Sequence, residues 1–180
     1  MILYKGAGPG THWHSNNAQL TGFSATAAMV ANGSSALLHI IQGSIPSPYI
    51  SFTTSFAVAC KYALTGPAGI ATAANPGYVY EIDTVISPVN LTDPIAVISG
   101  MATPARYAHE HDGGVDLILG IASPTTHGAI LSASPRTPRN LAHAPTISPT
   151  LQGLIFAIRD AELLAQSVPA ACIRQLHRVA

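Results

Sequence analysis

Charge is what this chain has least of. Only 9% of its 180 residues are Asp, Glu, Lys or Arg, against roughly 25% in an ordinary globular domain. Eight basic and eight acidic side chains cancel to a formal net charge of zero. A duplex partner takes several lysines or arginines on its phosphates, and no basic stripe is present, so duplex nucleic acid is excluded; a small nucleic-acid end group is not. Cysteine is nearly absent. Cys60 and Cys172 lie far apart in apolar contexts and read as two buried free thiols, since a disulfide would need an oxidising compartment. No apolar run approaches the roughly 20 residues of a transmembrane helix, so no membrane partner is expected. Met1-Ile2-Leu3-Tyr4-Lys5-Gly6 turns polar too early for a secretory leader. A cytoplasmic location is the expectation.

What is present is apolar surface to bury: 48% of residues are hydrophobic, with 15 Gly and 14 Pro between them. A chain of this length removes about 70% of its unfolded surface from water, so residues 1–180 are expected to form one domain. Short strands and modest helices in irregular order indicate an α+β fold. Met1 to Tyr4 reads as a strand closed by Gly-Ala-Gly-Pro-Gly, followed by a loop carrying Thr11-His12-Trp13-His14. A helix is expected around Ser35–Ile41, ending near Gly43. Gly77-Tyr78-Val79-Tyr80-Glu81-Ile82-Asp83 is the clearest strand, with Tyr78, Tyr80 and Ile82 on one face and Glu81 outward. Val115 to Ala122 reads as a further strand, and residues 123–149, rich in Pro, Ser and Thr, as a long surface excursion. Leu151, Leu154, Ile155, Ile158 and Leu163 have helical spacing, predicting a helix over Leu151–Gln166 with Arg159, Asp160 and Glu162 on its polar side.

The stretch Ser47-Pro48-Tyr49-Ile50-Ser51-Phe52-Thr53-Thr54-Ser55 packs five Ser and Thr hydroxyls into nine residues. Pro46 and Pro48 enforce an extended approach. Ser51 and Thr53, two apart on a strand, face one side. Thr54 or Ser55 caps a helix whose apolar face is Phe56, Ala59, Cys60 and Ala63. The surplus hydroxyls belong either to an ordinary capped turn or to a wall that orients a ligand.

The order of these features resembles the ADP-ribosyltransferase superfamily, in its cholera-toxin-like branch with an Arg, Ser-x-Ser/Thr, Glu signature. Leu3-Tyr4-Lys5-Gly6 stands where that family has Leu-Tyr-Arg-Gly. Tyr49-Ile50-Ser51-Phe52-Thr53 and the Ala-rich run Phe56 to Ala63 match its middle strand and helix. Gly77 to Asp83 matches its Gly-Tyr-Val-Tyr strand, and Glu110, Gly113, Gly114 and Val115 to Ile121 follow in the place of its Glu-bearing turn and closing strand. The likeness covers residues 1–122, leaving 123–180 as excursion and C-terminal helix. It implies two small, mostly antiparallel sheets around an NAD cleft with flanking helices. It also implies a transferase of bacterial toxin or effector type, which breaks the nicotinamide–ribose bond of NAD and passes ADP-ribose to a protein, another acceptor or water. An effector delivered without a cleaved signal is the other location it allows. Lys5, Gly6, His12, Trp13, Ser51, Thr53 and Tyr62 would contact NAD, and Glu110 would be the catalytic acid. Two residues depart from the pattern. Lysine lacks arginine's planar fork, and Ala108 stands where the family has Gln or Glu two residues before the acid, which leaves Asp112 as the alternative to Glu110.

Two other readings compete. On extended backbone His12-x-His14 and His109-x-His111, with Glu110 and Asp112, have the spacing of metal-ligand pairs, which would make a metal-dependent enzyme. Loss of the signature arginine would instead leave a non-catalytic binding module of the same fold; no metal is expected in either ADP-ribosyltransferase-like case. Trp13 would either stack on a ligand ring or anchor its loop in the core.

Overall fold

The computed structural model describes residues 1–27, 31–43, 46–101, 108–111, 114–118 and 149–180. By its internal contacts the chain divides into two compact units, one of residues 1–26, 49–91 and 163–180, the other of 27–48 and 92–162. The architecture is mixed α and β, with one large antiparallel sheet and a few helices.

The first unit begins with β1 (Ile2–Ala7), two one-turn helices α1 (His12–Ser15) and α2 (Ala18–Thr21), and β2 (Phe23–Ser24). In the second unit lies α3 (Gly33–Gln42). The chain then returns to the first unit as β3 (Ile50–Thr53), α4 (Phe56–Ala63), the ribbon β4 (Thr65–Gly66) and β5 (Gly69–Ile70), β6 (Gly77–Asp83) and β7 (Leu91–Thr92). The second unit continues with α5 (Pro94–Met101), β8 (Ala108–His111), β9 (Gly114–Ile118) and α6 (Pro149–Arg159). Closing the chain are β10 (Glu162–Ala165), β11 (Ser167–Val168), a 3-10 turn over Ala170–Cys172 and β12 (Ile173–Val179).

Six strands form the main sheet in the order β12-β6-β1-β3-β10-β7, and three two-stranded ribbons, β11–β2, β4–β5 and β8–β9, stand apart from it. The sequence pointed to two small sheets; non-local pairing of β12 with β6 builds one larger one instead. Residues directly opposed in an antiparallel pair share a face. Leu3 lies opposite Ile82 and Lys5 opposite Tyr80, while Tyr4 lies opposite Glu81 and also opposite Thr53. One face therefore carries Leu3, Lys5 and Ala7 with Ile50, Phe52, Tyr80 and Ile82, and all of these but Lys5 join Ala18, Phe23, Val168 and Cys172 in the main core. The other face carries Tyr4, Gly6, Val79, Glu81, Ser51 and Thr53, and α4 lies upon it through Ala59 and Ala63.

That second contact is unusually close. A Cβ on Gly6 would stand 2.1 Å from the Ala59 carbonyl oxygen, and one on Gly77 would stand 1.8 Å from that of Ala63. Both obstacles are backbone atoms and cannot swing aside. Alanines one helical turn apart on α4 thus meet glycines on adjacent strands, letting helix and sheet backbones touch. Only Ser55 is the cap: its Oγ accepts from the Val58 amide at 3.4 Å, and Thr53 Oγ1 accepts from the Ser55 amide at 3.0 Å. Thr54 is exposed.

In the second unit α3, α5 and α6 pack against one another, with Gly153 allowing close approach to Leu37 and Ile98. Asn32 and Ser35 form a reciprocal capping box at the start of α3, and Gly43 (φ 69°) ends it in the left-handed region. The helix expected over 151–166 stops at Arg159. Ala161 adopts φ 45°, a left-handed turn that breaks the helical ladder, and Glu162–Ala165 continues as strand β10. Asp160 is buried and ion-paired with Arg159, where an exposed polar side was expected. The surface excursion expected at 123–149 falls almost wholly outside the described residues. Among the described residues no helix is long and apolar enough to cross a membrane.

Gly6→Ala and Gly77→Ala should each destabilise the chain by about 1–3 kcal/mol or more, the usual range for overpacking. Chemical denaturation followed by far-UV circular dichroism measures this, and an unchanged midpoint for both would contradict the backbone contact described.

Candidate functional site

The first unit gathers most of the residues singled out by sequence, on three neighbouring elements. β1 contributes Lys5 and Gly6, β3 contributes Ser51 and Thr53, and α4 contributes Tyr62, whose Cβ lies 2.9 Å from where a Gly6 side chain would begin. The register divides them. Lys5 stands on the core face with Tyr80, while Ser51 and Thr53 stand on the face beneath α4 with Tyr4. Thr53 is buried and its hydroxyl serves the helix cap; Ser51 is half-buried. Gly6 is accounted for by the approach of α4, independently of any ligand.

His12 and His14 occupy one helical turn, not the extended backbone assumed for a metal pair. Residues two apart on a helix point roughly 200° from each other. His12 is exposed, with Trp13 edge-on to its ring at 4.5 Å, and Asn16 Nδ2 approaches its Nδ1 at 3.5 Å. His14 turns inward: its Nε2 donates to the Pro76 carbonyl at 3.0 Å, and its ring lies 5.2 Å from that of Tyr78. Trp13 packs on Phe23 at 4.9 Å, against the main core. This is the anchoring role, and Tyr80 secures it by donating its hydroxyl to the Trp13 carbonyl at 2.8 Å. Burial pushes the Tyr80 phenol above its ordinary value of 10.0, opposed by its hydrogen bond with the Ala18 amide.

Glu110 stands on β8 in the second unit, where the pairing with β9 shifts register between His109 and Glu110. Asp112 lies outside the described residues. Among the described residues no group of three His, Cys, Asp or Glu is placed to hold a metal ion.

Sequence reading missed a cluster on the α4 face. Glu81, expected outward in solvent, is half-buried and its Oε2 lies 3.1 Å from Nε2 of His177 on β12. The Phe56 ring sits edge-on to both His177 (5.1 Å) and Tyr4 (5.3 Å), closing the cluster from α4. Glu81 and His177 meet across 96 positions, and a register shift between Ile173 and Gln175 breaks the alternation of β12. The periodicity that would have marked the strand, and the partner that would have explained Glu81, were therefore both hidden.

Removing the Tyr80 hydroxyl by Tyr80→Phe should cost about 0.5–1.5 kcal/mol, the net worth of one hydrogen bond. Its pH dependence is a second readout. The raised phenol pKa contributes stability below pH 10 that is lost as pH rises through that value, because only the unfolded chain then ionises readily. Urea denaturation between pH 8 and 11 should show a steeper alkaline loss in the parent than in Tyr80→Phe. Parallel curves would count against the buried phenol.

Compared with known proteins, the chain matches no family model, no curated protein and no solved structure.

Proposed function

We propose that the chain is an NAD-dependent mono-ADP-ribosyltransferase-like domain, cleaving the nicotinamide–ribose bond and passing ADP-ribose to a protein, another acceptor or water. One observation carries the reading. The Leu3-Tyr4-Lys5-Gly6 strand lies hydrogen-bonded between the Ser-x-Thr strand on one side and the Gly-Tyr-Val-Tyr strand on the other. The Ala-rich helix that follows the Ser-x-Thr strand is capped by Ser55 and seated on this pair. Three stretches that resemble family motifs, spread from residue 3 to residue 83, are thus neighbours in one sheet.

In this reading Lys5 meets the cofactor's ribose or diphosphate as a point charge. The hydroxyls of Ser51 and Thr53 stiffen the strand-to-helix junction behind it. Glu110 stabilises the positive charge that develops on the ribose carbon as nicotinamide departs; a fixed carboxylate in a water-poor site suits that task. Asp112 is the alternative for the same role.

A second reading, an NAD-binding module without turnover, is favoured by the register. Lys5 faces away from Ser51 and Thr53, and lysine replaces the planar fork of arginine.

Adding NAD should raise the melting temperature, with free nicotinamide accumulating on incubation. Glu110→Gln, which keeps the size of the side chain and removes its charge, should abolish release with little loss of stability. Chromatographic assay of nicotinamide with thermal melts of both proteins decides the matter. Binding without release selects the second reading, release by Glu110→Gln removes that residue from the role, and absence of any NAD effect ends both readings.

A further inference from the structure

Alternate residues of a strand share a face, so Glu81 and Asp83 follow Val79 on the α4 face of β6. The helix begins at Phe56, and its alanines lie over Gly77 and Val79, which leaves both carboxylates beyond its first turn. They are matched differently. Asp83 is met by a full cation, Arg174, at 3.5 Å. Glu81 is met by an imidazole, with Nε2 of His177 3.1 Å from its Oε2. An ionised carboxylate only accepts, so Nε2 carries the proton and Nδ1 of the neutral ring is an acceptor. Among the described residues neither Oε1 of Glu81 nor Nδ1 of His177 has a hydrogen-bond partner, and neither atom is sealed from solvent. The two side chains keep 21% and 26% of their surface exposed.

The geometry points to Glu81, with Phe56, Tyr4 and His177 around it, as a binding site for a primary ammonium group. All four residues belong to the first unit. Tyr4 stands directly opposite Glu81 on β1, where Cβ atoms of an antiparallel pair are about 5 Å apart. The Phe56 ring lies 5.3 Å from that of Tyr4 and 5.1 Å from that of His177, steeply inclined to both. Phe56 is 40% exposed, so an aromatic surface meets solvent beside the carboxylate. Ring quadrupoles attract a cation, and the carboxylate supplies the opposite charge. The Glu81–His177 pair offers acceptors and no spare donor, so the ligand brings the N–H groups, which a quaternary ammonium lacks. A guanidinium would engage both carboxylate oxygens with its fork, and Oε2 is already held by His177. An ammonium is a compact point charge whose donors turn freely, and the remaining oxygen is enough for it. The site takes an alkylamine or a lysine side chain and goes beyond the NAD reading, on which it does not rest.

The test is an NMR titration of the full chain with n-butylammonium chloride at about pH 8, where an ordinary imidazole is neutral, with n-butanol as the uncharged match. Saturable movement of the His177 imidazole and Phe56 ring signals is expected with the amine and not with the alcohol, while the His14 signals stay in place. Glu81→Gln keeps the side chain's size and still accepts from His177; it should weaken binding at least about tenfold, as loss of a charge-assisted hydrogen bond predicts. Phe56→Leu should weaken it about threefold, the worth of an exposed cation–π contact. Asp83→Asn should bind as the parent does. Circular dichroism checks that the variants fold; should Glu81→Gln fail, Phe56→Leu and the alcohol carry the comparison. No saturation by the parent, equal binding of the alcohol, equal binding by Glu81→Gln, or an equal loss in Asp83→Asn overturns the proposal. Spermidine and Nα-acetyllysine methylamide then separate the sources: tighter binding of the first assigns the site to a free amine, of the second to a lysine side chain, and either supports it. Amine binding by a chain that ignores NAD keeps this site and removes the function proposed above; NAD turnover without amine binding does the reverse.

Discussion

Backbone contact between α4 and the sheet is the constraint on which the first unit depends. Gly6 and Gly77 have no side chains because the carbonyls of Ala59 and Ala63 occupy that space. With helix and strand axes this near, no ordinary residue fits between them, and α4 can sit in only one place. Its position then locates everything at its ends. Ser55 and Thr53 must turn the chain sharply at the N-terminal end, and Phe56 is brought down onto Tyr4 and His177. The Tyr4-Lys5-Gly6 stretch of β1, where Lys5 and Gly6 were expected to contact a ligand, is therefore at the same time a packing motif.

The two faces of the sheet do different work as a result. One is sealed by small residues and a helix, and its acidic groups are paired in place. The other is built from aromatic rings, Phe23, Phe52 and Tyr80, meeting edge to face, with Trp13 pinned by the Tyr80 hydroxyl.

Much of the local structure was legible. The strand over Gly77–Asp83, the helix after Ser55, the stop at Gly43 and the shared direction of Ser51 and Thr53 all follow from alternation, capping and glycine chemistry, and the structure has them. The helix expected to run to Gln166 was cut at Arg159, because its apolar spacing carries across a left-handed turn at Ala161 into a strand whose leucines fall in step by chance. His12 and His14 were read as extended when they form a helical turn, a segment too short for periodicity to distinguish. The candidate site was legible as a set of residues and not as a surface. Lys5, Ser51 and Thr53 were each identifiable, but whether they share a face depends on the pairing of β1 with β3.

Sequence by itself determined the class of the molecule: an apolar, charge-poor α+β chain with a hydroxyl-rich strand-to-helix junction, since composition, alternation and caps act within a few residues of one another. Tertiary structure alone decided which side of the sheet each polar group occupies, that β12 joins β6 to give Glu81 its histidine and Tyr78 its arginine, and that Gly6 answers to a helix. These are matters of register between distant strands. A slip of one residue reverses every side chain, and no pattern within a single strand records which partner it will meet.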